Sequence, residues 1–228
     1  MMISSDAYYE EFLKGKTAEQ IMTAIRDLKQ EIGHLKNTME HPDYGRKPLI
    51  HPSEEVRLSW SRMYLERAKE ALIEVGGTYK PSQAELKAAA FDKSIPAICK
   101  VVFSIGGFFD GSETRTYILD EEHLHMDVKH SFLLKPSNFE IKPDYPLTKE
   151  EFLNGFRELH IGEWRACYDP SRFGYAVLDG TQWELEIYFS DGHMPVKIYG
   201  SNSYPYNFDK FKGLLGMDRC NDNIEEDE

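Results

Sequence analysis

The chain has 228 residues, of which 41% are hydrophobic and 29% charged, and its formal net charge is −12. This composition is that of an ordinary globular protein, and the acidic balance argues against direct nucleic-acid binding, which needs clustered lysine and arginine. No apolar run approaches the ~20 residues of a membrane-spanning helix, so we expect no membrane association.

The start of the chain lacks the basic and apolar regions of a secretory signal, which favours a cytoplasmic protein. Its cysteines, Cys99, Cys167 and Cys220, are far apart and include no CxxC pair. That spacing indicates neither a disulfide framework nor a zinc finger. We therefore expect buried or idle thiols and no cofactor.

The N-terminal third predicts an antiparallel helical hairpin over residues 1–80. Two runs of apolar or small residues recur at alternating spacings of 3 and 4: Ile21, Ile25, Leu28, Ile32, Leu35 and Met39, then Leu58, Ser61, Leu65, Ala68, Leu72 and Val75. This period keeps one seam of each helix facing a partner. Thr17 with Gln20 predicts a capping box and Ser53 an N-cap, whereas Pro42 and Gly76-Gly77 are stop signals.

Residues 81–216 predict an α+β domain. The predicted helices are 83–91, one of about a dozen residues capped by Thr148 and Glu151, and 208–215 capped by Asn207. The predicted strands are 97–109, 114–119, 123–132, 163–168, 174–178, 182–189 and 195–199, with a hairpin turn at Asp110-Gly111. Since no βαβ alternation is present, we expect a mostly antiparallel sheet with two or three packed helices. Residues 217–228 predict an acidic disordered tail.

Two local patterns within this domain carry further expectations. Along 182–189, Trp183, Leu185 and Ile187 should point to the core, while Glu184 and Glu186 should face solvent. The adjacent glycines at 106 and 107 lack the lysine and serine of a phosphate loop. They indicate a bulge or a close approach of two backbones.

A candidate metal site lies at His123 and His125, which would share one face of a strand and could offer two imidazoles to zinc. Asp127 or His130 could supply a third ligand. The competing interpretation is that the acids before His123 simply mark a surface turn. No nucleophile motif is present.

A candidate partner-binding surface lies in the segment from Tyr199 to Phe208. Tyr199, Asn202, Tyr204, Tyr206 and Asn207 combine rigid aromatic area with adaptable polar groups, as protein interfaces do. The competing interpretation is a loop that attaches the last helix to the sheet.

The pattern Asp179-Gly180-x-x-Trp183-x-Leu185-x-Ile187-x-Phe189-Ser190-Asp191-Gly192, followed by Gly200-Ser201-Asn202-x-Tyr204-Pro205-x-Asn207-Phe208, spans about 30 of the 228 residues. It resembles a C-terminal motif of uncharacterised proteins from gut Firmicutes, which are often carried on phage or other mobile elements. The resemblance implies a genomic setting and no particular reaction.

Three hypotheses follow from these features. The leading one is a non-catalytic protein-interaction module, a mobile-element accessory or anti-defence protein. Its acidic and aromatic surface would bind a nucleic-acid-handling host enzyme. The alternative is a metal-dependent hydrolase that uses His123, His125 and nearby carboxylates. The third is a homodimer formed through the helical hairpin.

Overall fold

The computed structural model describes residues 3–46, 51–107, 111–120, 123–131, 148–177 and 179–217. The chain divides into two compact units, Met1–Ser82 and Gln83–Glu228. The boundary that the sequence predicts lies two residues earlier. The predicted acidic tail lies outside the described residues, except for Met217.

The first unit is built on a hairpin-like pair of helices, α2 (Ala18–Met39) and α3 (Glu54–Glu74). A short helix that the sequence does not predict, α1 (Ser5–Tyr8), precedes them and continues into a π-helical turn, Tyr9–Leu13. The predicted seams supply the core of the unit, in which the buried residues are Leu13, Ile21, Ile25, Leu65, Ala68, Ala71 and Leu72.

The predicted helix ends of this pair are confirmed. The Thr17 hydroxyl accepts a hydrogen bond from the N–H of Gln20 (3.3 Å), and the Gln20 side chain accepts one from the N–H of Thr17 (3.0 Å). At the end of α3, Gly76 takes a positive φ of 79° and the N–H of Gly77 bonds the carbonyl of Leu72 at 2.8 Å. Val75 is 47% exposed, although the repeat predicts it in the seam, because the helix has already ended at Glu74.

The described residues of the second unit form a six-stranded sheet with the strand order β3-β2-β1-β5-β6-β4. The strands are β1 (Ile98–Gly107), β2 (Gly111–Leu119), β3 (Leu124–His130), β4 (Cys167–Tyr168), β5 (Thr181–Phe189) and β6 (Val196–Ser201). All neighbours pair antiparallel except β4 and β6, which are parallel. The predicted α+β class is therefore confirmed. Asp110, the first residue of the predicted turn at Asp110-Gly111, lies outside the described residues.

Two predicted strands are corrected by the structure. Only Cys167–Tyr168 of 163–168 is a strand, and residues 174–177 form none. A 3₁₀ turn, Pro170–Phe173, directly precedes residues 174–177. The Asp169 carboxylate accepts a hydrogen bond from the N–H of Ser171 at the start of this turn. Local turn chemistry therefore outweighs the β propensity of the neighbouring aromatic residues.

Three helices cover one face of the sheet: α4 (Gln83–Ser94), α5 (Lys149–Glu158) and α6 (Phe208–Leu214). The capping box of Thr148 and Glu151 at the start of α5 is confirmed. The core between these helices and the sheet is aromatic and fully buried at its centre, where Phe103, Tyr117, Phe152, Phe156 and Phe211 lie. Within the described ranges no helix is long and apolar enough to cross a bilayer.

Candidate functional site

The opposite face of the sheet consists of residues that alternate with the core positions along each strand. We call it the open face. In strand order β2, β1, β5, β6 its residues are Ser112, Thr114, Thr116, Ile118, Lys100, Val102, Ser104, Gly106, Gln182, Glu184, Glu186, Tyr188, Lys197 and Tyr199. None of them is buried. Of the residues that alternate with them, Val101, Phe103, Leu185 and Ile187 are fully buried. The predicted alternation along β5, with Trp183, Leu185 and Ile187 inward, is confirmed.

A groove with a volume of about 630 Å³ lies at one end of the open face. We call it the Glu184 groove. The residues that line it include Ser104, Gly106, Ser112, Asp179, Gln182, Glu184 and Tyr199. Among the described residues that line it, two are carboxylates and none is lysine, arginine or histidine. The groove therefore favours a positively charged ligand.

Two glycines among the lining residues have no room for a side chain. A Cβ at Gly106 would lie 2.5 Å from the Cα of Ser112, which confirms the predicted close approach of two backbones. Gly200 is confined on the core side of the sheet, where a Cβ would clash with the indole nitrogen of Trp183. Of the two, Gly106 lies on the open face, where the missing side chain leaves room in the groove.

The two carboxylates of β5 on the open face, Glu184 and Glu186, differ in their hydrogen-bond partners. Glu186 accepts hydrogen bonds from Lys197 and from the hydroxyl of Tyr188. Both hydrogen bonds lower the pKa of Glu186, and the bond from Lys197 has the larger effect. Glu184 is exposed, and its side chain has no ion-pair or hydrogen-bond partner within the described part of the chain. Its charge is therefore available to a ligand.

Tyr199 is the aromatic residue next to this free carboxylate. It lies opposite Glu184 in the β5–β6 register and opposite Cys167 in the β4–β6 register. The hydrogen bond with the Cys167 thiol is the main cause that raises the pKa of Tyr199. Tyr199 is 55% exposed, so its side chain is accessible from solvent. Cys167 is itself exposed and Cys99 is partly buried, so of the expected buried or idle thiols neither is a buried one.

The other predicted partner-binding residues make contacts within the domain. Asn202, at a positive φ of 49°, accepts a hydrogen bond from the N–H of Thr181 (2.8 Å) at the rim of the groove. Tyr204 packs on the ring of Phe208 with centroids 4.8 Å apart, and Tyr206 is half-buried against the core. Their assignment to a partner surface stays a prediction, and the structure brings Tyr199 alone of the aromatic set to the groove.

Asn207 takes the N-cap position of α6, but its side chain makes no capping hydrogen bond. The amide is used elsewhere. Its Oδ1 accepts from the indole N–H of Trp164 (3.0 Å), and its Nδ2 donates to the carbonyl of Leu159 (2.7 Å). The predicted N-cap position of Asn207 is confirmed, but its amide bridges two other segments and makes no capping hydrogen bond.

Part of the C-terminal motif packs around Trp183. The indole N–H of Trp183 donates to the carbonyl of Ser203 at 2.9 Å, and Gly200 lies against the indole ring. Asn202 joins the start of β5 to the end of β6. The motif thus builds one wall of the Glu184 groove, and a folding role accounts for most of its residues.

The candidate metal ligands His123 and His125 are exposed side chains on either side of the buried Leu124, on one face as predicted. Their ring centroids are 6.0 Å apart, and Nε2 of His125 lies 3.0 Å from Oδ2 of Asp120. His130 lies instead 4.0 Å from Glu113. Within the described ranges, no group of three or more histidine, cysteine and acidic side chains is arranged to hold a metal ion. Glu121 and Glu122 lie outside the described residues, and the metal site stays a prediction.

The exposed apolar residues of the first unit bear on self-association. Ile73 is 67% exposed, and Val56 and Met63, which lie 7 residues apart on α3, are also exposed. Nothing in the structure shows what covers them. Homodimerisation through the hairpin stays a prediction.

No protein-family model matches this chain, and no curated protein or solved structure is significantly similar to it. The candidate site therefore depends on its geometry alone. Sequence reasoning did not assign Ser104, Cys167 or Glu184 to it. Strand alternation indicated that Glu184 faces solvent, but no local signal indicates that Tyr199 is its cross-strand neighbour.

Proposed function

We propose that this protein is a non-catalytic protein-interaction module that binds a positively charged partner on its open face, at the Glu184 groove. The observation that carries the proposal is the pairing of an exposed tyrosine with a carboxylate that has no described partner, in a groove without basic lining residues. Exposed tyrosines supply rigid contact area at interfaces, and complementary charge gives specificity.

The acidity of the chain narrows the class of partner. A formal charge of −12 disfavours nucleic acid itself, but it suits the basic groove of an enzyme that handles nucleic acid. We propose such an enzyme as the partner of an accessory or anti-defence protein, in keeping with the mobile-element setting that the resemblance of the C-terminal motif implies.

Affinity capture from a host lysate tests this proposal when matched variants are compared. Tyr199→Ala combined with Glu184→Lys removes the ring and reverses the charge, whereas Glu158→Gln changes an exposed carboxylate on α5, outside the groove. We expect a specific partner to be captured by the wild type and by Glu158→Gln, and to be lost with the double variant. Equal capture by all three proteins would contradict the proposal.

The alternative proposal is a metal-dependent hydrolase at His123 and His125. It is supported by the carboxylate of Asp120, which accepts hydrogen bonds from the N–H of His123 and pairs with the ring of His125. Metal analysis of protein purified without chelator tests it. Absence of bound zinc or manganese would remove this alternative.

A further inference from the structure

We infer that the group recognised in the Glu184 groove is an arginine side chain of the partner, held between the ring of Tyr199 and the carboxylate of Glu184. This inference rests on the proposed function, because it names the chemistry by which the open face would recognise a positively charged protein.

The ring of Tyr199 provides a stacking surface for a planar cation. Tyr199 is 55% exposed, so its side chain is accessible to a ligand on the open face. Guanidinium groups stack on tyrosine rings more often than ammonium groups do. An accessible tyrosine ring therefore favours arginine over lysine.

The carboxylate of Glu184 provides the second contact. It stands directly opposite Tyr199 in the register, so one guanidinium can reach both side chains. Two parallel hydrogen bonds from a guanidinium match the two oxygens of a carboxylate, which an ammonium cannot do. The neighbouring Lys197 hydrogen-bonds Glu186 and interacts with Glu184 through its charge alone, so the oxygens of Glu184 stay open to hydrogen bonds from a guanidinium.

The floor of the groove provides room for the aliphatic part of the same side chain. Gly106, which has no side chain, lines the groove beside Ser104. The hydroxyl of Ser104 lies 2.8 Å from that of Thr114, so these two groups hydrogen-bond each other. The charged acceptors of the groove are the carboxylates of Asp179 and Glu184. An arginine methylene chain can lie along this floor with its charged end at the carboxylate.

A titration of the full chain with short peptides tests the inference. Binding is measured from the NMR chemical shifts of the backbone amides of Glu184, Tyr199 and Gly106. The probes are acetyl-Gly-Ser-X-Ser-Gly-amide peptides in which X is arginine, lysine or citrulline. Citrulline keeps the shape of arginine without its charge. We expect the arginine peptide to bind about tenfold more tightly than the lysine peptide, and the citrulline peptide to cause no saturable shift.

Three variants locate the contact. Glu184→Gln should weaken arginine binding by about tenfold or more, and Tyr199→Ala by about fivefold. Tyr199→Phe keeps the ring and should retain most of the affinity, and Glu158→Gln should not change it. These ratios would support the inference, provided that each variant keeps the wild-type spectrum away from the groove.

Equal shifts with arginine and citrulline, or unchanged binding by Glu184→Gln, would overturn the inference. So would the absence of any response to the peptides while the captured partner still depends on Tyr199 and Glu184. In that last case the proposed function stands and only its arginine chemistry fails. If the double variant Tyr199→Ala with Glu184→Lys captured the partner as well as the wild type does, the proposed function itself would be rejected.

Discussion

The guanidinium of Arg115, on β2, donates a hydrogen bond to the main-chain carbonyl of Leu215, which lies 2.6 Å away and 100 residues later in the chain. The same nitrogen bonds the carbonyl of Gly216 at 2.9 Å, and the hydroxyl of Tyr117 bonds that of Leu215 at 2.7 Å. The last carbonyls of a helix need such donors. A buried cation at the end of α6 also suits the negative end of the helix dipole.

Arg115→Met is expected to destabilise the second unit strongly. Arg115 is 6% exposed and pairs with Glu113, which is 8% exposed. The substitution would leave the buried carboxylate of Glu113 and the carbonyl of Gly216 without this donor, whereas the carbonyl of Leu215 keeps the hydroxyl of Tyr117. We expect a cost of about 3–5 kcal/mol, mainly from the unpaired carboxylate. Urea unfolding followed by tryptophan fluorescence measures this loss.

The control for Arg115→Met is the double variant Arg115→Met with Glu113→Gln. Because it removes the stranded charge, it should be more stable than Arg115→Met alone. A loss below about 1 kcal/mol for the single variant would mean that solvent reaches Glu113 and that the pair is not a buried one.

Asn207→Ala is expected to act on stability rather than on binding. Its amide joins Trp164 to Leu159, so its removal leaves an indole N–H and a carbonyl unpaired. The expected cost is about 1–3 kcal/mol. Tyr199→Ala, at an exposed position, should change stability by no more than about 0.5 kcal/mol. Thermal unfolding of both variants compares them, and a stable Asn207→Ala protein with weakened partner capture would restore Asn207 to the binding surface.

The helical hairpin could be predicted from the sequence because every signal for it is local. Thr17 lies three residues from its capping partner, and Gly76 directly follows the helix that it ends. The sheet order could not be predicted in the same way, since β1 lies between β2 and β5 and its pairing with β5 joins residues about 80 positions apart, such as Phe103 and Leu185. Such pairing depends on the common core and leaves little trace in short patterns.

The candidate site could be predicted only in part. The aromatic segment indicates Tyr199, and strand alternation predicts that Glu184 faces solvent, but their position opposite each other depends on the register between β5 and β6. Tyr204 and Asn207 have the same residue types as an interface, yet they make internal contacts. Residue type alone does not distinguish a binding tyrosine from a packing one, because that depends on exposure in the folded chain.

Gly33→Ala is expected to stabilise the first unit. Gly33 is an exposed residue in the interior of α2, and nothing lies within 4 Å of a Cβ built there. Alanine should therefore increase the free energy of unfolding by about 0.5–1 kcal/mol. Thermal unfolding followed by circular dichroism measures the gain.

The matched control for Gly33→Ala is Gly77→Ala in the same unit. A Cβ at Gly77 would meet the side chain of Leu72 at 2.9 Å and its carbonyl oxygen at 3.0 Å. We expect this variant to lower the melting temperature. If both alanine variants moved the melting temperature in the same direction, local backbone freedom would not be the cause.

Asp92→Asn is expected to stabilise the second unit at neutral pH and to lose this effect in acid. Oδ1 of Asp92 is buried without a hydrogen-bond partner in the described part of the chain. Desolvation by burial is the main cause that raises the pKa of Asp92 above its usual 3.8, with Glu163 adding to the rise and His160 and Arg157 opposing it.

The sign of this pH dependence follows from linkage. Since the folded state holds the Asp92 proton more tightly than the unfolded state, the wild type gains stability from this group below pH 3.8 and loses it as the pH rises through the raised pKa. Asparagine is neutral at every pH, so the stability difference between variant and wild type should be constant at neutral pH and shrink as the pH falls through that window. Urea unfolding at a series of pH values measures the difference. A gain that is the same at pH 7 and at the acid end of the series would show that desolvation of the Asp92 charge is not its cause, because a neutral carboxyl carries no such cost.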